Sequence, residues 1–162
     1  MTNLKNWIVV FAIICGIFMG ATTQAQDLYV PVTEVHDGDT IKIRLTLPSP
    51  LDVVSVRIYG IDTPEMPAKS YATTGKLSRA DCVQEAEQAL LAQWFVEELV
   101  NRGGKQLILR GYSWDKYGGR IDAVAYVIDP DTGAEINIAD ELIAMGMAVE
   151  YYGGTKTKNW CE

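Results

Sequence analysis

Histidine is almost missing from this chain of 162 residues, where His36 is the only one. Of three cysteines, Cys15 lies in the apolar N-terminal run, and the two that remain do not make a zinc centre with one histidine. Positive charge is also short, since 14 Lys and Arg stand against 21 Asp and Glu, for a formal net charge of −7. Whole-molecule attraction of a polyanion is therefore excluded, because global charge steers association. No apolar run reaches the ~20 residues that cross a bilayer as a helix. The longest, "WIVVFAIICGIFMG", stops after residues 7–20. Internal repeats and low-complexity stretches are absent too.

That apolar run has a meaning of its own. Lys5 is the only charged side chain before Asp27, and small residues at Thr23 and Ala25 follow the run. A short basic end, an apolar middle and a small-residue site predict a signal peptide, residues 1–25, removed after Ala25. An uncleaved membrane anchor is the alternative; lipid attachment at Cys15 is disfavoured by the preceding Ile14. Residues 26–162 then form one exported domain, periplasmic or secreted, expected to be monomeric and without stable membrane association. In an oxidising compartment the two remaining cysteines, Cys82 and Cys161, have one intramolecular pairing available. It would tie the first long helix to the C-terminal tail; free thiols or an intermolecular bridge are the alternatives.

Period-two alternation marks five strands. "TIKIRLTL" sets Ile41, Ile43, Leu45 and Leu47 against Lys42, Arg44 and Thr46. "VVSVRIYGID" sets Val54, Val56 and Ile58 against Ser55, Arg57 and Tyr59. "LYVPVTEV", "KQLILRGY" and "RIDAVAYVID" complete the set. Helical spacing runs from Asp81 to about Asn101, with Val83, Ala86, Leu90, Leu91, Trp94 and Phe95 as its apolar stripe and Ser78 or Asp81 as its cap. A second helix starts at "NIAD", capped by Asn137, and stops near Gly146. Three strands, a helix, two strands and a helix predict a mainly β, α+β domain. A five-stranded OB-fold barrel with two or three covering helices fits that count, and so does a meandering α+β sandwich.

Three clusters carry chemistry. "HDGDT" places Asp37 and Asp39 around Gly38 at a strand mouth. Two like charges about 4 Å apart repel by about 4 kcal/mol at an effective dielectric near 20, so a positive partner is expected there. A plain turn is the alternative. "RIYGIDTPEMP" delivers Asp62, Thr63 and Glu65 at the end of a strand whose polar face carries Arg57. "WDKYGGR" gathers Lys116, Tyr117 and Arg120 around a tight turn. Carboxylate and carbonyl oxygens suit Ca²⁺ or Mg²⁺ rather than a soft metal. Arginine's planar fork fits phosphate oxygens, and a remaining carboxylate can orient or deprotonate water. Together these are the parts that phosphodiester hydrolysis needs. His36 and Trp94 with Phe95 are read as packing residues; Trp114 is read either as core or as a stacking platform.

"DGDT", "RIYGIDTPE" and "DKYGGR", in this order, resemble the staphylococcal (micrococcal) nuclease or thermonuclease family, and the likeness runs from about Val32 to Tyr152. The resemblance implies an OB-fold barrel and Ca²⁺-dependent cleavage of DNA and RNA, leaving 3′-phosphate ends. It implies Asp39 and Asp62 as cation ligands through their side chains and Thr63 through its carbonyl. Glu65 would be the general base, with Arg57 and Arg120 on the scissile phosphate. Lys116 and Tyr117 would contact the nucleotide. Tyr151, in "AVEYYGG", matches the family's C-terminal aromatic near the base, with plain packing as its other reading. The chain departs from the family pattern in its second glycine before Arg120 and in its acidic balance. A catalytically silent OB-fold binding module is the rival reading.

Overall fold

The computed structural model describes residues 26–162 apart from Tyr117; the expected signal peptide, residues 1–25, lies outside them, as does Tyr117. Strands β1 (Leu28–Val35), β2 (Thr40–Arg44) and β3 (Val53–Ile58) lead through the short β4 (Gly60–Asp62) to a one-turn helix α1 (Tyr71–Thr74). The long helix α2 (Val83–Arg102) follows, then β5 (Gln106–Trp114), β6 (Arg120–Ile128), β7 (Glu135–Asn137), α3 (Ile138–Ala144) and β8 (Val149–Tyr151). Strand β1 pairs antiparallel with β2 and β5, β2 with β3, and β5 with β6. The parallel pairing of β3 with β6 closes the barrel, from Ser55↔Arg120 to Ile58↔Ala123. This is a closed five-stranded barrel of the OB type, as expected, and its closure sets the sandwich aside. Strands β4, β7 and β8, of three residues each, are too short for alternation to reveal.

Alternation explains the interior. Ile41, Ile43, Val56, Ile58, Leu107 and Leu109 are fully buried. Each such side chain contributes about 1.5–3 kcal/mol relative to exposure. Leu47 lies beyond the end of β2 and is exposed, so the β2 stripe is shorter than the pattern implied.

Helix α2 corrects the expected apolar stripe. Its buried side carries Ala86, Ala89, Ala92, Val96, Leu99 and Val100. Val83, Leu90, Leu91 and Trp94 face outward, Trp94 with 59% of its surface exposed, while Phe95 is half-buried against the core. The reason is close approach: a Cβ on Gly38 would sit 2.9 Å from the Cβ of Ala92 and 3.0 Å from Cγ2 of Thr63. Only small residues fit where the helix meets the loop before β2. Its cap is Cys82, neither Ser78 nor Asp81. The Cys82 sulfur accepts from the Glu85 N–H at 3.3 Å, and the Glu85 carboxylate accepts from the Asp81 N–H at 2.6 Å, in the manner of a capping box. Helix α3 has the expected cap, with Asn137 accepting from the Ala139 N–H at 3.0 Å.

The disulfide forms between Cys82 and Cys161, whose Cα atoms are 5.9 Å apart. It joins the start of α2 to the tail beyond β8, where Trp160 is also buried. Among the described residues, no helix is long and apolar enough to cross a membrane.

Candidate active site

Register places both arginines. On β2, β3 and β6 the buried positions Ile41, Val56 and Ile121 align, so Thr40, Ser55, Arg57, Arg120 and Asp122 share the outer face. Arg57 and Arg120 are diagonal neighbours there, because Arg120 is opposite Ser55 and Asp122 is opposite Arg57.

The positive partner expected beside Asp39 is Arg57, which Asp39 shares with Asp62. Arg57 Nη2 lies 3.2 Å from Asp39 Oδ2 and 4.0 Å from Asp62 Oδ1. Asp39 stands at the mouth of β2, where its carbonyl accepts from the Ile58 N–H at 2.8 Å and its Oδ1 from the Thr40 hydroxyl at 2.8 Å. Burial and the charge of Asp37 push its carboxyl up to about 6, against the pull of Arg57 and Thr40. Asp62 ends β4, held by the antiparallel pairing of β4 with β8, and is only 2% exposed. Thr63 beside it is buried against Gly38.

An open cavity of about 400 Å³ lies over Asp39 and Arg57, lined also by Thr63, Glu65 and Arg120 among others, with Asp62 beneath its wall. Glu65 has two cations on it: Lys156 Nζ at 2.9 Å from Oε1, and the Arg79 guanidinium on Oε2. Burial alone raises its pKa, but the hydrogen bond and charge of Lys156, with Arg79, hold it below the ordinary glutamate value. Arg120 reaches the cavity with its guanidinium closed on Asp115, Nε at 3.0 Å and Nη2 at 2.9 Å from Oδ2. The second glycine is absorbed in the hairpin turn itself. The Asp115 N–H bonds the Arg120 carbonyl at 3.0 Å, Trp114 aligns with Ile121, and Gly118 and Gly119 both take positive φ.

A second cavity, of about 670 Å³, shares Arg57, Asp115 and Arg120 with the first and extends to Trp114, Lys116 and Tyr151. Trp114 is two-thirds exposed, so the core reading of it fails. Tyr151 is half-buried and its hydroxyl donates to the Gly154 carbonyl at 2.8 Å. His36 is also corrected: it is exposed at the rim of the first cavity, 3.9 Å from Glu34, not packed at a strand end. Arg79, Glu85 and Lys156 were missed by sequence reasoning. The predicted Cys82–Cys161 bridge was the one available signal for Lys156, since it returns the tail to the start of α2.

Among the described residues, no three acidic, histidine or cysteine side chains converge as a metal centre. The donor chemistry still fits a hard cation. Asp39 and Asp62 approach one point from two strand ends, and Asp62 Oδ1 is buried with no well-aligned hydrogen bond, although Lys156 Nζ is 2.7 Å away. Two carboxylates completed by carbonyl and water oxygens are a set that Ca²⁺ accepts.

Residues 55–160 match the family described as staphylococcal nuclease homologue. The chain belongs to that family. The matched span covers Arg57, Asp62, Glu65 and Arg120 and begins downstream of Asp39. None of the curated proteins matches the chain. Membership gives the domain a nuclease-like character, with nucleic acid as the substrate class it implies.

Proposed function

We propose that this chain is an exported, Ca²⁺-dependent nuclease that hydrolyses phosphodiester bonds of DNA and RNA with little sequence preference. The observation that carries the reading is the convergence of Asp39 and Asp62 on Arg57, with Glu65 and Arg120 lining the same cavity. Asp39 and Asp62, with the Thr63 carbonyl, would hold the cation. When bound, it supplies a Lewis acid for a phosphate oxygen.

The chain's own groups do the rest. Arg57 binds the scissile phosphate and stabilises the negative charge that grows as water attacks phosphorus. Arg120 adds a second donor after turning from Asp115. Glu65 orients water and takes its proton, which requires it to leave its pairing with Lys156. Lys116 and Tyr117 contact the neighbouring nucleotide, and Tyr151 stands near a base. As water adds to phosphorus the P–O5′ bond breaks and the leaving 5′-oxygen takes a proton from solvent, so the products carry 3′-phosphate and 5′-hydroxyl ends. The enzyme works as a monomer in the periplasm or outside the cell, once residues 1–25 are removed, and keeps no membrane attachment.

The silent-module reading draws support from one feature: Glu65 and Arg120 are both tied up in ion pairs. Digestion of single-stranded DNA separates the two. The nuclease cleaves with Ca²⁺, stops with a chelator, and loses activity in Glu65→Gln. Binding without cleavage in every condition would overturn the catalytic reading.

A further inference from the structure

The tail beyond β8 brings an ammonium to the carboxylates. After Gly153 and Gly154, both at positive φ, the chain returns so that Lys156 Nζ lies 2.7 Å from Asp62 Oδ1 and 2.9 Å from Glu65 Oε1. The return is fixed at both ends. Tyr151 is paired with Gly60 in the β4–β8 ladder, and Cys161 is bonded to Cys82 with Trp160 buried beside it. Lys156 is therefore held near the site by a short strap and does not depend on chance encounter, which raises its effective concentration there.

We propose that Lys156 is a tethered counter-cation: its ammonium neutralises Asp62 and Glu65 in the cation-free protein, and a divalent ion binds by displacing it. This rests on the cation site of the proposed function. Asp62 is nearly fully buried, Arg57 reaches its Oδ1 only at 4.0 Å, and a buried carboxylate that is not closely paired is strongly unfavourable. The ammonium meets that need with one charge; a divalent ion meets it with two and takes the same oxygen. Both cannot sit on Asp62 Oδ1 at bonding distance, because their charges repel. Displacement also takes the ammonium off Glu65 Oε1 and leaves the Arg79 guanidinium on Oε2, so cation loading and the unloading of one oxygen of the candidate base become one event. The disulfide strengthens the competition by keeping the strap in place.

Cation affinity tests this without reference to cleavage. Ca²⁺ and Tb³⁺ titrations, read by calorimetry and by lanthanide luminescence, are run on the unaltered protein and on Lys156→Met, with Asp62→Asn as a control for the site. Lys156→Met is expected to bind about ten-fold more tightly, because no charge-assisted hydrogen bond has to be broken. Equal or weaker binding overturns the proposal. A second measurement needs no substitution: a lysine-specific endoprotease that does not itself require calcium should cut after Lys156 faster when Ca²⁺ is added. Unchanged or slower cutting overturns the proposal too. A protein that binds Ca²⁺ in this competitive way yet cleaves no DNA would remove the nuclease reading and leave this one standing.

Discussion

The Glu85 carboxylate, buried at the head of α2, accepts from the backbone N–H of Glu65 at 3.2 Å. Its other oxygen holds the Asp81 N–H. A helix cap and the loop that carries the candidate base thus share one side chain. Glu85→Ala leaves both N–H groups without their acceptor, at about 1–3 kcal/mol each where water cannot replace it. Urea unfolding should show that loss, and the cleavage rate should fall beyond it because Glu65 loses its anchor. Glu85→Gln, which keeps one oxygen, should recover part of both.

Gly38 is fixed by proximity rather than by backbone angle. A methyl group there would press on Ala92 and Thr63 at 2.9–3.0 Å, atoms of a packed helix and a buried loop. Gly38→Ala should destabilise by about 1–3 kcal/mol, as overpacked sites do. It should also weaken cation binding, since Asp39 is the next residue. Combining it with Ala92→Gly relieves the contact with the helix but not that with Thr63, and a helix-interior glycine costs about 1 kcal/mol, so thermal melting of the double variant should show partial recovery at most.

Asp39 predicts an unusual pH profile. Its carboxyl is pushed up to about 6 from 3.8, so between those values the folded chain keeps a proton that the unfolded chain releases. The sign follows: stability falls as pH rises from about 4 to 6, by up to about 3 kcal/mol. The ion-paired carboxylates of Asp27, Glu135 and Glu65 act in the opposite sense, being depressed in the fold. Their stabilisation is full above the ordinary carboxylate range and is lost as pH falls through and below it. Urea midpoints in metal-free buffer should therefore decline from pH 5 to 7, where Asp39 acts alone among these groups, and Asp39→Asn should flatten the decline.

The barrel was legible because each of its strands has one wet and one dry side, and residues such as Ile41 and Val56 report that directly. The long helix was legible in extent but not in orientation. Leucine and tryptophan carry most of the apolar signal, yet at Leu91 and Trp94 they face water, while Ala86, Ala89 and Ala92 carry the contact. Small residues can be the buried face when backbones come close, and a pattern weighted by side-chain size turns the helix the wrong way. Asp39, Arg57, Asp62 and Glu65 were legible as dense local clusters at strand ends. Lys156 and Arg79 were not, because single basic residues in irregular segments carry no local pattern. Only the tertiary return of the tail and the loop after Glu65 brings them in.

The Cys82–Cys161 bridge closes a loop with a sequence separation of 79, which the chain-entropy model values at about 4 kcal/mol. Replacing Cys82 by alanine would confuse that value with loss of the α2 cap. Cys82→Ser keeps an N-cap acceptor, so paired with Cys161→Ser it isolates the bridge. The double serine variant should melt lower than the oxidised protein and match the reduced one. A double variant as stable as the oxidised form would mean that buried Trp160 and the β4–β8 ladder hold the tail alone.

Arg57 and Arg120 should contribute unequally. Both line the two cavities, but Arg57 already bridges the two candidate ligand carboxylates, whereas Arg120 directs two nitrogens to Asp115. Replacing Arg57 by lysine keeps the charge but removes the planar fork, and loss of such a preorganised donor lowers turnover by about 10²-fold or more. Arg120→Lys should fall less, because part of its binding capacity is spent on Asp115 until the pair opens. Single-turnover cleavage at saturating Ca²⁺ compares the two directly. If the losses are equal, substrate must draw Arg120 off Asp115, and Asp115→Asn should then raise the rate by removing the competitor. If Asp115→Asn lowers the rate instead, the Asp115 pair is what aims Arg120 at the phosphate.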